Sequence, residues 1–499
     1  MKHKLINNKQ APNTPLMENT FVELVFIPAP AVGHIMSAME MAKVLVNRHQ
    51  SLSVTVLLMN PPLSMLALTT YIESLAKKAI ERIRFIKLLQ DQTPPKLDSK
   101  APLMSYYEFI NSHCKYVKNI LEEMINQTGS RRVVGLVADW FCTGMIDVAN
   151  EFNLPSYVYF TSSAAFLGFM VHFETLYVDQ KQDLLELANS EGEIVIPSFV
   201  NPVPMRVFPE LYQKQDGLDF LICTIGSMRK AKGILINTFL ELESHAINWF
   251  SGTNFPPVYP VGPLLNLDSV AGKADDTDVF RWLDSQPRAS VVLLCFGSMG
   301  CFDEAQLKEI ARGLERSGHH FVWSVRRPPP LEQSFEVLPD DYDDPRVVLP
   351  DGFLERTLGV GKVIGWAPQV SLLAHEAVGG FVSHCGWNSM IESLWFGVPT
   401  ATLPIYCEQQ MNAFEMVVDL GLAVDLKLDY KINVINPEGD TVIVMAEEIE
   451  RGIRSVMEDN EVRAKVKEMS KMSRATVVEG GSSYTSVGYL IKDMMRNII

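Results

Sequence analysis

The run GGFVSHCGWNSMIESLWFG, residues 379–397, brings His384, Asn388, Ser389 and Glu392 into one short stretch. An apolar strand, FVS, ends in the turn HCG, and a helix opens near Trp387. Unpaired backbone N–H groups and the helix dipole at such an end favour a phosphate group. His384 can donate a hydrogen bond to the same anion, and Gly386 allows the backbone to come close. Glu392 follows Ser389 by three residues and shares its helix face. A carboxylate there can accept both hydroxyls of a ribose. Diphosphate donors beside a ribose carboxylate describe a nucleotide site. Taken alone, the same residues also describe a capped helix with an incidental glutamate.

A second pair lies upstream. His34 stands in PAPAVGHIMSAME, just after the first apolar strand and at the opening of a helix. Asp139 ends the apolar run VVGLVAD. A histidine of near-neutral pKa suits general-base work. An aspartate on its far ring nitrogen would fix the tautomer and stabilise the imidazolium that forms. Taken alone, a histidine is more often structural or at the surface, and a strand-end aspartate more often a turn or cap residue.

The surrounding pattern is that of an α/β protein. Apolar, β-branched runs at 22–28, 52–59, 133–138 and 156–160 predict strands, with a helix carrying Ile35, Ala38, Met39, Ala42, Leu45 and Val46 on one face. Runs this apolar belong in a parallel sheet covered on both faces. A second series predicts strands at 290–296, 320–326, 362–365, 380–383 and 400–404, with helices including 304–316 and 409–420. Residues 251–278 are rich in Pro, Gly and Asp and read as a linker. The expectation is two Rossmann-like doubly wound domains facing a cleft, at 21–250 and 279–480. A disordered tail is expected over 1–20, and a helix over 481–499 packs back on the first domain.

The nucleotide run sits inside a longer one. WAPQVSLLAHEAVGGFVSHCGWNSMIESLWFGVPTATLPIYCEQ, residues 366–409, resembles over all 44 of its residues the secondary-product box of plant UDP-sugar-dependent glycosyltransferases of family 1. The resemblance extends over about residues 21–495, including FRWLDSQPRASVVLLCFGS and VEGGSSYTSVGYLI. It implies the GT-B fold and an inverting UDP-glucosyltransferase. Within it, Trp366 stacks on the uracil, and Gln369 and the Ala367 backbone bond the base edge. Glu392 holds the ribose, and His384, Asn388 and Ser389 hold the diphosphate, joined by Ser298 in the FGS turn. Trp387, Glu408 and Gln409 contact the sugar. Trp387 together with Gln409 points to glucose over glucuronate or galactose. His34 and Asp139 match the family's catalytic dyad, and Thr161 in YFTSS matches a residue that touches the donor sugar.

The implied reaction needs no metal and no cofactor, with UDP-glucose as co-substrate. The acceptor is a small lipophilic metabolite such as a flavonoid, another phenolic or a terpenoid, glucosylated on a hydroxyl or a carboxyl. Phe141, Phe160, Phe166, Met205 and Phe208 are its candidate contacts. Two departures from the family pattern stand out. Ala31 replaces a glycine before His34, and Leu403 replaces a tryptophan behind the sugar site.

Composition narrows the field further. A formal net charge of −15 disfavours a nucleic acid partner and docking on anionic lipid. The seven cysteines are scattered, with no C-x-x-C pair, which fits thiols in the cytoplasm. No apolar run reaches the length of a membrane span, and the N-terminus lacks the apolar stretch of a secretory signal. Met17 is a candidate alternative start. Nothing calls for more than a monomer. A dehydrogenase would need G-x-G-x-x-G after its first strand, and a nucleophile-elbow hydrolase would need G-x-S-x-G; neither occurs. His375, His384 and Cys385 do not fit zinc spacing. The remaining rival is a non-catalytic UDP-sugar-binding module, which would keep the box without the dyad.

Overall fold

A computed structural model of the chain describes residues 21–496, apart from 62–68, 70–71, 74, 76–79, 99, 127–130, 268–277, 330–337 and 432–441. Residues 1–20, read as a disordered tail, lie outside the described residues.

The first sheet is built from β1 (Phe21–Ile27), β2 (Leu52–Leu58), β3 (Ile83–Lys87), β4 (Arg131–Asp139), β5 (Ser156–Phe160), β6 (Gly233–Ile236) and β7 (Val258–Pro260). Its order is β3-β2-β1-β4-β5-β6-β7, and every pairing is parallel. The second sheet contains β8 (Val291–Cys295), β9 (His320–Ser324), β10 (Gly361–Ile364), β11 (Val378–Ser383), β12 (Thr400–Thr402) and β13 (Ala423–Asp425). Its order is β10-β9-β8-β11-β12-β13, again all parallel. Both are doubly wound sheets of the GT-B architecture. In each, chain direction across the sheet reverses once, between β1 and β4 and between β8 and β11. Ligands of open α/β sheets bind outside the carboxyl ends of the strands at such reversals.

Burial explains the strand pattern. All seven residues of β2, all five of β5 and all six of β11 are buried, as a sheet sandwiched between helices requires. The segment read as linker is partly sheet: Val258–Pro260 pairs with β6 and forms the edge strand. Its prolines hide it from a sequence reading, yet an edge strand tolerates them. The strand expected over 320–326 stops at Ser324, and Arg326 instead pairs with Asp341 in a two-residue ribbon. The helix expected over 409–420 is α-helical at Gln409–Phe414 and becomes a π-helix at Glu415–Asp419.

The C-terminal helix, Ser482–Met495, lies on the first sheet. Val487, Leu490, Ile491 and Met494 join Val134, Tyr157 and Leu235 in one buried cluster. The Tyr157 hydroxyl also donates to Asp493 at 2.7 Å. Full burial of a leucine or methionine side chain contributes about 1.5–3 kcal/mol, so the apolar face is what seats this helix. The two domains share apolar surface directly. Phe239 and Leu242 pack with Trp387, Met390 and Ala413, and Met411 and Phe414 enter the cluster around Phe166 and Phe199.

Candidate active site

The carboxyl ends of the two sheets face one another. Ser162, just after β5, donates to Glu408 at 3.4 Å, and Ser163 donates to Asn412 at 3.3 Å. Gly33 stands opposite Asn388, whose Nδ2 is 3.6 Å from where a Cβ on Gly33 would be. Two helix N-termini therefore approach across the cleft: α1 (Val32–Arg48), carrying His34, and α2 (Trp387–Phe396), carrying Asn388.

Strand register brings the dyad together. Ile27 pairs with Ala138, so the ends of β1 and β4 lie side by side. His34 is the third residue of the helix that follows β1, and Asp139 is the last residue of β4. His34 Nδ1 lies 2.8 Å from Asp139 Oδ2. Asp139 Oδ1 accepts the Phe141 N–H at 3.0 Å, which locks the carboxylate in place. An ionised carboxylate only accepts, so Nδ1 carries the proton and Nε2 keeps its lone pair. Burial pushes the His34 pKa down. The charge and hydrogen bond of Asp139, with Glu408 across the cleft, outweigh it and leave the pKa above 6.5. Ala31, before the helix, has φ −136°, so its side chain is unstrained where the family pattern has glycine.

Thr161 serves the dyad. Its hydroxyl accepts the Trp140 indole N–H at 3.2 Å and sits 3.3 Å from His34 Nδ1. Of the five acceptor candidates, Phe141 alone meets the dyad, edge-on to His34 at 5.5 Å between ring centroids. Phe160, Phe166, Met205 and Phe208 are buried in the core of the first domain. Tyr106 and Phe220, which sequence reading did not single out, flank Phe141 at 5.6 and 5.3 Å.

On the other side, β11 turns into α2 through Cys385, whose φ of 65° is the left-handed region that side chains seldom adopt. Ser383 Oγ accepts the Cys385 N–H at 3.1 Å, and Asn412 Nδ2 donates to its carbonyl at 3.1 Å. The turn carries His384 between two glycine backbones. A Cβ on either Gly297 or Gly386 would stand 2.6 Å from His384 Nε2. Burial holds the His384 pKa down to about 4, so near neutral pH the ring is an uncharged donor and not a cation. Its Nδ1 is buried without a protein partner. Ser298 follows Gly297 in the turn after β8.

Trp366 is 53% exposed, with the Arg326 guanidinium carbon 5.0 Å from its ring centroid on one face. The Ala367 carbonyl already accepts the Gln369 N–H at 2.9 Å. Gln369 is held on one side by α2. Its Nε2 donates to Ser389 Oγ at 2.8 Å and to Glu392 Oε2 at 2.7 Å. That carboxylate fixes the orientation of the amide, and Gln369 Oε1 is buried without a protein partner. Burial raises the Glu392 pKa to about 7, against the lowering effect of Gln369.

Trp387 is only 2% exposed, and its indole N–H donates to the Asn237 carbonyl at 2.9 Å. Its ring is packed between the domains, so any sugar contact falls to its backbone. Gln409 Oε1 accepts the N–H groups of Ile405 and Tyr406 at 2.9 and 3.1 Å, which closes the loop before it. Only its amide nitrogen is left for a sugar. Leu403 is buried in the core beneath the loop, and its N–H donates to Ser383 O at 2.8 Å. Asn237 and Asn412 escaped sequence reading. Asn237 directly follows the apolar strand GILI, and a polar residue at a strand's carboxyl end was the available signal.

The chain is similar to known proteins over nearly its whole length. The family model for UDP-glucoronosyl and UDP-glucosyl transferases matches residues 233–472. UDP-glycosyltransferase 71A15 of Malus domestica is 49% identical, over 94% of this chain and 98% of its own. UDP-glucose flavonoid 3-O-glucosyltransferase 6 of Fragaria ananassa is 48% identical, over 95% of this chain and 99% of its own. A Medicago truncatula glycosyltransferase solved with UDP-glucose superposes with a TM-score of 0.82 at 40% identity, over 96% of this chain and 99% of its own.

Proposed function

The chain belongs to the plant UDP-glycosyltransferases, and on that premise we propose that it transfers glucose from UDP-glucose to a small lipophilic acceptor with inversion. The acceptor class follows the flavonoid glucosyltransferase among its relatives and the aromatic rings of Phe141 and Tyr106 near His34. The observation that carries the reading is the dyad. A histidine locked by Asp139 into the Nδ1–H tautomer faces a helix N-terminus suited to a diphosphate.

In this mechanism the acceptor hydroxyl loses its proton to His34 Nε2. The oxygen attacks the anomeric carbon from the face opposite UDP. The bond to the diphosphate oxygen breaks, and its electron pair leaves with UDP. An α-linked donor gives a β-glucoside. The imidazolium that forms is stabilised by Asp139, and Glu408 adds to its field. Charge on the departing diphosphate meets the N–H groups opening α2 and the uncharged His384 ring. Trp366 stacks on uracil, Glu392 with Gln369 takes the ribose, and Glu408 and the Gln409 amide nitrogen take the sugar hydroxyls.

Among the described residues, no group of acidic, histidine or cysteine side chains is arranged to hold a metal ion, and no helix is long and apolar enough to cross a membrane. Seven free cysteines support a cytoplasmic location. The deciding experiment mixes UDP-glucose with a panel of phenolic and terpenoid acceptors and follows UDP release and product mass. A glucoside with at least one acceptor is expected. Release at background with every acceptor, alongside tight UDP binding, would instead favour a UDP-sugar-binding module.

A further inference from the structure

We propose that Asn237 is a positioning residue that sets which side of the Asn388 amide the donor diphosphate meets. This rests on the reading of α2 as the diphosphate site and adds a first-domain residue to it.

Asn237 follows β6 and is fully buried. Its Oδ1 accepts the Leu264 N–H at 2.8 Å. Its Nδ2 donates to Asn388 Oδ1 at 3.3 Å and to the Leu264 carbonyl at 3.4 Å. Its own carbonyl accepts the Trp387 indole N–H at 2.9 Å. One first-domain residue thus grips the segment leading to the second domain and the first two residues of α2.

The amide orientations follow from a single unambiguous donor. The Leu264 N–H can only donate, so the oxygen of Asn237 must face it. The nitrogen of Asn237 must then face Asn388. That nitrogen needs an acceptor, so Asn388 must offer its oxygen. The Asn388 NH2 is left on the opposite side, toward Gly33 and the loop leading to His34. Asn388 is half-buried, and what it presents to the cleft is a pair of N–H donors with no lone pair. An anionic diphosphate requires that polarity. The reverse orientation would set a carbonyl oxygen against it. The backbone locks Asn237 in turn, because a Cβ on Gly262 would stand 2.5 Å from its Oδ1.

The test is Asn237→Asp, an isosteric change that keeps the acceptor for Leu264 and removes the donor to Asn388. Asn388 should turn its nitrogen toward the new carboxylate and its carbonyl into the cleft. UDP affinity, measured by calorimetry, should fall about tenfold or more, the effect of losing a hydrogen bond to a charged group. In an Asn388→Ala background the same substitution should change affinity little further. An undiminished loss in that background would mean simple charge repulsion and would overturn the proposal. So would wild-type affinity in the single variant. Asn388→Asp probes the orientation independently if the first variant does not fold. It should weaken UDP binding more than Asn388→Ala, and wild-type affinity there would also overturn the proposal. If the unaltered chain fails to bind UDP, the functional reading itself falls. If it binds UDP and these variants match it, only the role of Asn237 falls.

Discussion

Gln369 Nε2 stands 2.7 Å from Glu392 Oε2, and we assign this pair to the ribose end of the proposed nucleotide site. The Glu392 carboxyl, pushed up to about 7 by burial, changes charge near physiological pH. Its ionised form is the one that accepts two ribose hydroxyls. UDP-glucose affinity should therefore rise as the pH climbs through about 7 and level off above it. Titrations without acceptor at a series of pH values measure this. Glu392→Gln should bind about tenfold or more weakly and lose the pH dependence. A flat profile in the unaltered protein would contradict the assignment.

His34 and Asp139 predict a different pH profile, read in turnover. His34 must be unprotonated to act as base, so kcat should fall as pH drops through a value above 6.5. Asp139→Asn removes the charge that raises this pKa, so the acid limb should move to lower pH. The same change frees the wrong tautomer, and turnover should drop by about 10²–10⁴-fold, the range of general-base catalysis. His34→Ala should lose a similar factor while keeping UDP affinity. Steady-state rates and UDP calorimetry on the same preparations separate the two effects. A His34→Ala enzyme with normal turnover would falsify the dyad.

How much of this was legible beforehand depends on distance along the chain. The nucleotide box is contiguous, so residues 366–409 announced themselves, as did strands as apolar as Leu52–Leu58. β3 (IRFIK) alternates charge with apolar residues, and β7 is flanked by prolines, so neither reads as a buried strand. Residue roles fixed by long-range contact were out of reach. Trp387 reads as a sugar contact, and its indole N–H is held by Asn237, 150 residues away in sequence. Gln369 reads as a base contact, and its amide also meets Glu392. Thr161 reads as a sugar contact, and its hydroxyl also meets Trp140 and His34. Phe160 and Phe208 are apolar and aromatic, and composition cannot separate a pocket wall from a core.

The buried acids Glu243 and Glu415 link the domains and predict a stability effect. Glu243 accepts the Ala165 N–H at 2.8 Å. Burial raises both carboxyl pKa values, and Glu243 beside it pushes Glu415 further, well above 4.5. Folded values above the unfolded ones favour the folded state at low pH. That contribution is complete below about 4.5 and is lost as pH rises through the folded values. Glu415→Gln, which cannot ionise, should raise Tm at pH 8 by about 2–4 °C, the shift that 1 kcal/mol gives a domain of this size. Near pH 4.5 the gain should vanish. Thermal melts at the two pH values decide it, and an equal gain at both would point to packing instead.

Trp366 should contribute to binding and little to folding. It is 53% exposed, so Trp366→Ala removes little buried surface, and Tm should stay nearly unchanged. Stacking on a base is worth about 1–3 kcal/mol, so UDP affinity should fall about 5–150-fold. Trp366→Tyr keeps a flat ring and should recover part of the loss. Loss of Tm without loss of affinity would show that Trp366 faces away from the nucleotide.

Gly386 isolates the role of the His384 ring. Its φ of −60° and ψ of 135° suit any residue, so alanine brings no backbone strain there. The obstacle is His384, whose Nε2 would lie 2.6 Å from the new Cβ. Gly386→Ala should displace the ring and weaken UDP binding while the chain still folds. Gly297→Ala meets the same nitrogen at 2.6 Å but also needs φ 73°, so it should lower Tm as well. If displacement of the ring is the cause, His384→Ala should weaken UDP binding in the unaltered chain. Added to Gly386→Ala, it should have little further effect. Calorimetry on the two single variants and the double variant tests this, and fully additive losses would place the effect of Gly386 elsewhere in the turn.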